Sequence, residues 1–160
     1  MAATFVLRDA TPDDVPHVYR LVRGLAEYEQ LLHEMTCSED DFRHALFGPV
    51  PRGHAMLAWA GTDAVGLAVW YYTFSTFTCG PDLFLEDIFV EPPWRGRGIG
   101  LALFRALARR AREQKCRRME WRVLDWNQTA IDFYRRIGAH PMRDWTVQQL
   151  EGDALAALAD

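Results

Sequence analysis

The sequence predicts a mixed α/β domain, one sheet with helices on both of its faces. Three observations lead there. Short stretches of strand-like alternation and apolar runs trade places with stretches of helical spacing, in the order β-α-α-β-β-β-α-β-α-β. Caps and turn residues, rather than a linker, mark most of these changes, and no repeat or low-complexity tract interrupts the series. The 160 residues, 49% hydrophobic and 25% charged, suit one globular domain over 1–160.

Each element has a local reason. Residues 5–8 alternate as a short strand. Thr11-Pro12-Asp13-Asp14 supplies an N-cap, a proline at the first helical position and acids in the first turn. Val15, Val18, Leu21, Val22, Leu25 and Ala26 then follow at helical spacing, carrying this helix to about Glu29. Ser38 caps a second helix containing Phe42, Ala45 and Leu46, which stops at Gly48-Pro49. Residues 55–60 form a strand, Gly61-Thr62-Asp63 a hairpin turn, 65–74 its partner, and 84–90 the next strand. The helix 101–114 shows Leu103, Phe104, Leu107, Ala108 and Ala111 on one face and arginines on the other. Residues 119–124 read as a strand and 127–137 as a helix ended by Gly138. Residues 140–150 read as a last extended segment, with a short helix at 154–158.

Charge is unevenly spread. Residues 1–91 balance to −9 and residues 92–160 to +5, and ten of the 18 bases fall between Arg95 and Arg122. One half suits an anionic ligand and the other a cationic one, or both are simply solvated faces. The basic cluster has no interleaved aromatic residues and the whole chain is acidic, which argues against nucleic acid. No apolar run approaches the ~20 residues a membrane span needs, and the N-terminus carries no signal pattern. Cys37, Cys79 and Cys116 are widely spaced and odd in number, so they read as free thiols in a reducing cytoplasm. With the five histidines scattered too, no metal site is expected.

The densest chemistry lies at 83–100, where an apolar strand runs through a turn into Arg95-Gly96-Arg97-Gly98-Ile99-Gly100 and straight into a helix. Such a loop leaves several N–H groups unpaired at the positive end of a helix dipole, which suits phosphate. It is not a P-loop, because no lysine or hydroxyl follows Gly100, and it lacks the third small residue of the dinucleotide fingerprint. A pyrophosphate held in another way is the expected ligand.

These residues resemble the GNAT (GCN5-related) acetyltransferases, through the R-G-x-G-I-G loop after a strand with Asn127 and Tyr134 at matching distances downstream. Within that superfamily the chain looks like the spermidine/spermine and thialysine N-acetyltransferase group. Leu85-Glu86-Asp87-x-Phe89-Val90, Trp126-Asn127 and Phe133-Tyr134-Arg135-Arg136 carry that narrower likeness, which spans nearly the whole chain. The resemblance implies a mostly antiparallel central sheet and acetyl-CoA as co-substrate. The pyrophosphate would sit on the amides of Arg95, Gly96, Arg97, Gly98, Ile99 and Gly100. The pantetheine arm would pair with Ile88, Phe89 and Val90.

Acetyl transfer to an amine needs a proton acceptor, an oxyanion donor and a proton for the departing thiolate. A lysine-like amine is about one part in two thousand nucleophilic at neutral pH. Glu86 is the candidate acceptor, set against the alternative of a structural carboxylate paired to an arginine. Strict alternation puts Glu86, Ile88 and Val90 on one face, and Leu85, Asp87 and Phe89 on the other, with Asp87 structural. The Ile88 N–H is an oxyanion donor if a β-bulge splays the strand there. The resemblance assigns Tyr134 to the leaving sulfur, where periodicity alone would make it a core aromatic. Asn127 is a helix N-cap, a partner of the cofactor, or both. Glu29 and Trp145 match residues on the family's amine side. Where polyamine-specific members carry an Asp before the Leu-Glu-Asp strand, this chain has Thr76. That favours a small primary amine such as a diamine or a lysine- or thialysine-like amino acid. A protein or peptide acceptor and a non-catalytic CoA sensor are the rival readings. Family members of this group form homodimers, and residues 140–150 with Ala154, Leu155 and Leu158 are the segment expected to serve that purpose.

Overall fold

The computed structural model of the protein describes residues 4–159. In chain order the elements are β1 (Val6–Asp9), α1 (Val15–Tyr28), α2 (Glu39–Phe47), β2 (His54–Ala60), β3 (Asp63–Ser75), β4 (Gly80–Val90), α3 (Ile99–Glu113), β5 (Met119–Trp121), α4 (Gln128–Arg136) and α5 (Gly152–Ala159). The five strands form one sheet in sequence order. The pairs β1–β2, β2–β3 and β3–β4 are antiparallel, and β4–β5 is parallel. The mixed, mostly antiparallel sheet is the one expected. The chain divides into two compact units, one ending at Arg122 and the other starting at Val123.

In the first unit, helix α1 enters through a turn that the sequence announced. The Asp14 carboxylate takes the Thr11 N–H and hydroxyl, each at 2.8 Å, and a two-pronged contact from Arg8 at 2.6 and 2.9 Å. Val18, Leu21 and Leu25 of α1 and Leu46 of α2 are buried against Leu57, Trp59, Leu67 and Phe89 of the sheet. On the opposite face Leu103, Phe104 and Leu107 of α3 are buried, and Arg110 lies over the Trp70 ring at 5.1 Å. Ser38 caps α2 as its sequence suggests: Ser38 Oγ accepts from the Asp41 N–H and Asp41 accepts from the Ser38 N–H.

Two differences from the sequence reading have physical causes. Strand β4 begins at Gly80, four residues early, because its first half zips onto residues 71–75 of β3 in a long hairpin. Residues 140–150 form no strand. All are exposed, and among the described residues the unit starting at Val123 contains no strand, so an extended segment there has no ladder to join. The terminal helix is present as α5.

Candidate active site

The site is built on β4, where two events coincide. Asp87 pairs with Val69 and Leu85 with Trp70, so Glu86 is an extra residue without a partner on β3. On the other edge, parallel pairing with β5 ends at Leu85 opposite Trp121. A bulge bends the strand and adds twist, so β4 parts from β5 at the residue where it bulges from β3. The bulge belongs to Glu86 rather than to Ile88.

The bulge also inverts which way the backbone faces. Before it, the Leu83 N–H donates toward β5, to the Arg118 carbonyl at 3.1 Å; beyond β4, the Glu91 N–H donates to Val65 on β3 at 3.0 Å. Antiparallel pairs alternate between bonded and non-bonded, so counting back from Glu91 turns Phe89 toward β3 and leaves Ile88 and Val90 facing the other edge. Val90 agrees, since its carbonyl accepts from Arg95 Nε at 2.9 Å. Hence the Ile88 N–H faces the side that β5 has left.

The same bulge corrects the alternation argument. Asp87 shares a face with its partner Val69 and with Phe89, both packed toward α1, whereas Leu85 goes with Trp70. Asp87 therefore parts from Leu85, with which strict alternation grouped it, and keeps Phe89 on its face. It is largely desolvated, and the charges of Glu86 and Glu29 reach it, so its carboxyl rises from the usual carboxylate range to about 6. Burial also raises Glu29, the residue that closes the last turn of α1. Tyr71 rises through burial first and then through Glu86. Neither Glu86 nor Asp87 has a side-chain hydrogen bond or ion pair among the described residues, so the structural reading of Glu86 loses its expected arginine. Asp87 is the residue that sequence reasoning passed over. The signal was present only as two adjacent acids inside an apolar strand.

At the far end of β4 the glycine loop leads into α3. Gly96 and Gly98 have φ of +74° and +84°, and Gly98 caps the helix from the left-handed region. The first helical bond runs from the Ala102 N–H to the Gly98 carbonyl at 2.9 Å, which leaves the donors of Ile99, Gly100 and Leu101 ahead of it. Gly66 on β3 lets the loop end sit close, because a Cβ there would meet Ile99 Cγ2 at 3.1 Å. The two loop arginines fold onto rings: Arg97 lies over Trp94 at 4.7 Å and Arg95 over Tyr28 at 4.6 Å. The donor set suits a pyrophosphate.

The structure thus brings Glu29, Glu86, Ile88, Phe89, Val90 and the loop together within the first unit. Asn127, Tyr134 and Trp145 belong to the second. There Asn127 Oδ1 accepts from the Ala130 N–H at 3.3 Å, which makes it the N-cap of α4. Tyr134 packs edge-on to Phe133, with ring centres 5.7 Å apart. Trp145 is 73% exposed.

Residues 18–139 match the acetyltransferase (GNAT) family. The chain belongs to the GNAT acetyltransferases. It is 34% identical to a thialysine N-epsilon-acetyltransferase of Sus scrofa, over 98% of each chain. It is 35% identical to the Mus musculus enzyme of the same name, over 99% of each. An L-ornithine N5-acetyltransferase of Arabidopsis thaliana is 28% identical over 95% of this chain and 86% of its own. Among solved structures, an integron cassette protein from the mobile metagenome of V. cholerae superposes with a TM-score of 0.81 at 26% identity, covering 99% of this GNAT chain and 98% of its own.

Proposed function

We propose that this GNAT enzyme moves an acetyl group from acetyl-CoA to a primary amine of a small cationic acceptor, by direct attack in a ternary complex. The observation that carries the reading is the bulge at Glu86, which sets an open strand edge beside Asp87, a carboxyl that the charges of Glu86 and Glu29 both reach. The thioester supplies the activated acetyl group. The chain's own residues do the rest. Glu29, Glu86 and Asp87 hold a cation, and a carboxylate near pH 6 is matched to accept a proton from the amine close to neutrality. The Ile88 N–H is the donor aimed at the developing oxyanion. Tyr134, by family position, protonates the departing sulfur. The loop from Arg95 to Gly100 and its helix N-terminus hold the pyrophosphate.

Within this reading the acceptor is a lysine-, thialysine- or ornithine-like amino acid or a short diamine rather than spermine. The named relatives and the loss of a loop carboxylate at Thr76 support that choice. A thiol-release assay over thialysine, lysine, ornithine, diamines, spermine and N-terminal peptides tests it. Turnover confined to peptides would overturn the substrate class. We also infer a homodimer, supported by exposed apolar side chains at Met142, Trp145, Val147, Leu150, Leu155 and Leu158. A monomer at all concentrations in sedimentation equilibrium would refute it.

A further inference from the structure

Arg95 opens the glycine loop, yet its side chain is committed elsewhere. Nε donates to the Val90 carbonyl at 2.9 Å, on the edge that β5 has left. The guanidinium carbon lies 4.6 Å from the centre of the Tyr28 ring and 5.7 Å from that of Phe89. Tyr28 is the last residue of α1, and Glu29 follows it as the C-cap. One cation therefore ties the end of the helix that presents an amine-side carboxylate to the last residue of the strand that carries Glu86 and Asp87. Helix α1 holds the loop's entry a second time, through Arg20, which pairs with Glu91 and donates to the Ala64 carbonyl at 2.6 Å.

Only an arginine makes these contacts together. Its planar fork stacks on a ring while Nε donates in the same plane, whereas a lysine ammonium offers a point charge without that geometry. A guanidinium within ~6 Å of a ring centre contributes roughly 0.5–2 kcal/mol, or about 2- to 30-fold in an equilibrium. We propose that Arg95 is a positioning residue that couples the two substrate sides, fixing the Tyr28–Glu29 turn against the open edge of β4 so that amine binding depends on it. This rests on the acetyl-transfer reading and adds to it: a loop arginine acting by charge alone would serve only the phosphates.

The test is a double-mutant cycle in the full chain. Arg95→Lys keeps the charge and is expected to raise the amine KM about fivefold. Tyr28→Leu is expected to do the same, and the Arg95→Lys/Tyr28→Leu pair to be no worse than either single change. Arg97→Lys, whose parent side chain lies over Trp94 in the loop's own approach, is expected to shift acetyl-CoA affinity by calorimetry and leave the amine KM in place. Hydrogen exchange reads the same coupling without turnover. The Glu29 and Leu31 amides, bonded to the Leu25 and Ala26 carbonyls, are expected to exchange faster in both single variants. Additive effects in the cycle, or an amine KM unmoved by Arg95→Lys, would overturn the proposal, as would unchanged exchange at those two amides. If exchange is coupled but the wild type releases no thiol with any amine, the acetyl-transfer reading falls and the positioning contact stands.

Discussion

Asp14 and Asp87 are both drawn out of water near opposite ends of α1, and they end in opposite states. Asp14, at the start of α1, accepts two hydrogen bonds from Arg8 and two from Thr11, and its carboxyl falls to about 2. Asp87, beside the other end of α1, has only Glu86 and Glu29 for electrical company, and its carboxyl climbs to about 6. Burial opposes ionisation at both, so the difference lies in the partners. Where the chain builds scaffold it satisfies the charge. Where it builds the candidate site it leaves the charge unsatisfied, as a group that must exchange protons near neutrality requires.

The largest expected effect removes the neighbour that holds Asp87 up. Glu86→Gln is expected to lower turnover by about 100-fold or more while acetyl-CoA affinity, read by calorimetry, stays within twofold. Because the Glu86 charge is the second cause of the Asp87 shift, the residual activity should also show its acid limb below 6. Turnover kept at the wild-type level would end the role of Glu86. An unmoved limb would show that burial and Glu29 set Asp87 without help from Glu86.

Next comes the satisfied acid. The folded-state value for Asp14 is depressed below the unfolded ~3.9, so its stabilisation is complete above pH 4 and disappears as pH falls from about 4 to about 2. Asp14→Asn removes a buried acceptor of charge-assisted hydrogen bonds from a half-exposed Arg8 and is expected to cost about 2 kcal/mol at pH 7 by urea denaturation. The variant should lose less stability than wild type between pH 4 and 2. Equal acid sensitivity would break the comparison at this end.

Asp87→Asn should behave in the reverse sense. Its folded value lies above the unfolded one, so the folded state binds the extra proton, and ionisation weakens the fold as pH rises from about 4 to about 6. Removing the charge is therefore expected to stabilise the protein at pH 7, by up to about 3 kcal/mol, and to do almost nothing at pH 4. Activity should fall at the same time, and the limb near pH 6 should vanish from the kcat/KM profile, which reports the free enzyme. A variant that gains stability and keeps that limb would show that Asp87 is only an awkwardly placed acid.

What the sequence disclosed and what it withheld divide along the same line. The Thr11 turn, the Ser38 cap and the glycine loop were legible because a few consecutive residues decide each of them. Glu86 and Glu29 were found by family position. Asp87 was grouped on one face with Leu85 because a bulge depends on where β3 and β5 let go of β4, which no property of residues 84–90 records. Gly66 escaped notice for a similar reason: its need comes from Ile99, 33 positions away in the chain. Residues 140–150 were read as an extended segment completing the pattern, and such a reading supplies no partner strand.

The smallest effect asks whether hydrogen bonds or burial matter more to a satisfied acid. Asp41 copies the Asp14 arrangement in miniature: the Ser38 N–H and hydroxyl both donate to it, at 2.8 and 2.7 Å, and its carboxyl is lowered by those bonds. It differs in being exposed, so water can replace whatever Ser38 gives up. Ser38→Ala removes the one hydroxyl that both accepts from the Asp41 N–H and donates to its carboxylate. The expected loss is about 1 kcal/mol, the usual cost of deleting a serine cap, and clearly less than that of Asp14→Asn. Thermal unfolding of the two variants side by side decides it. If Ser38→Ala proves as costly as Asp14→Asn, hydrogen-bond count alone governs the scaffold acids, and burial cannot be what separates Asp14 from the rest.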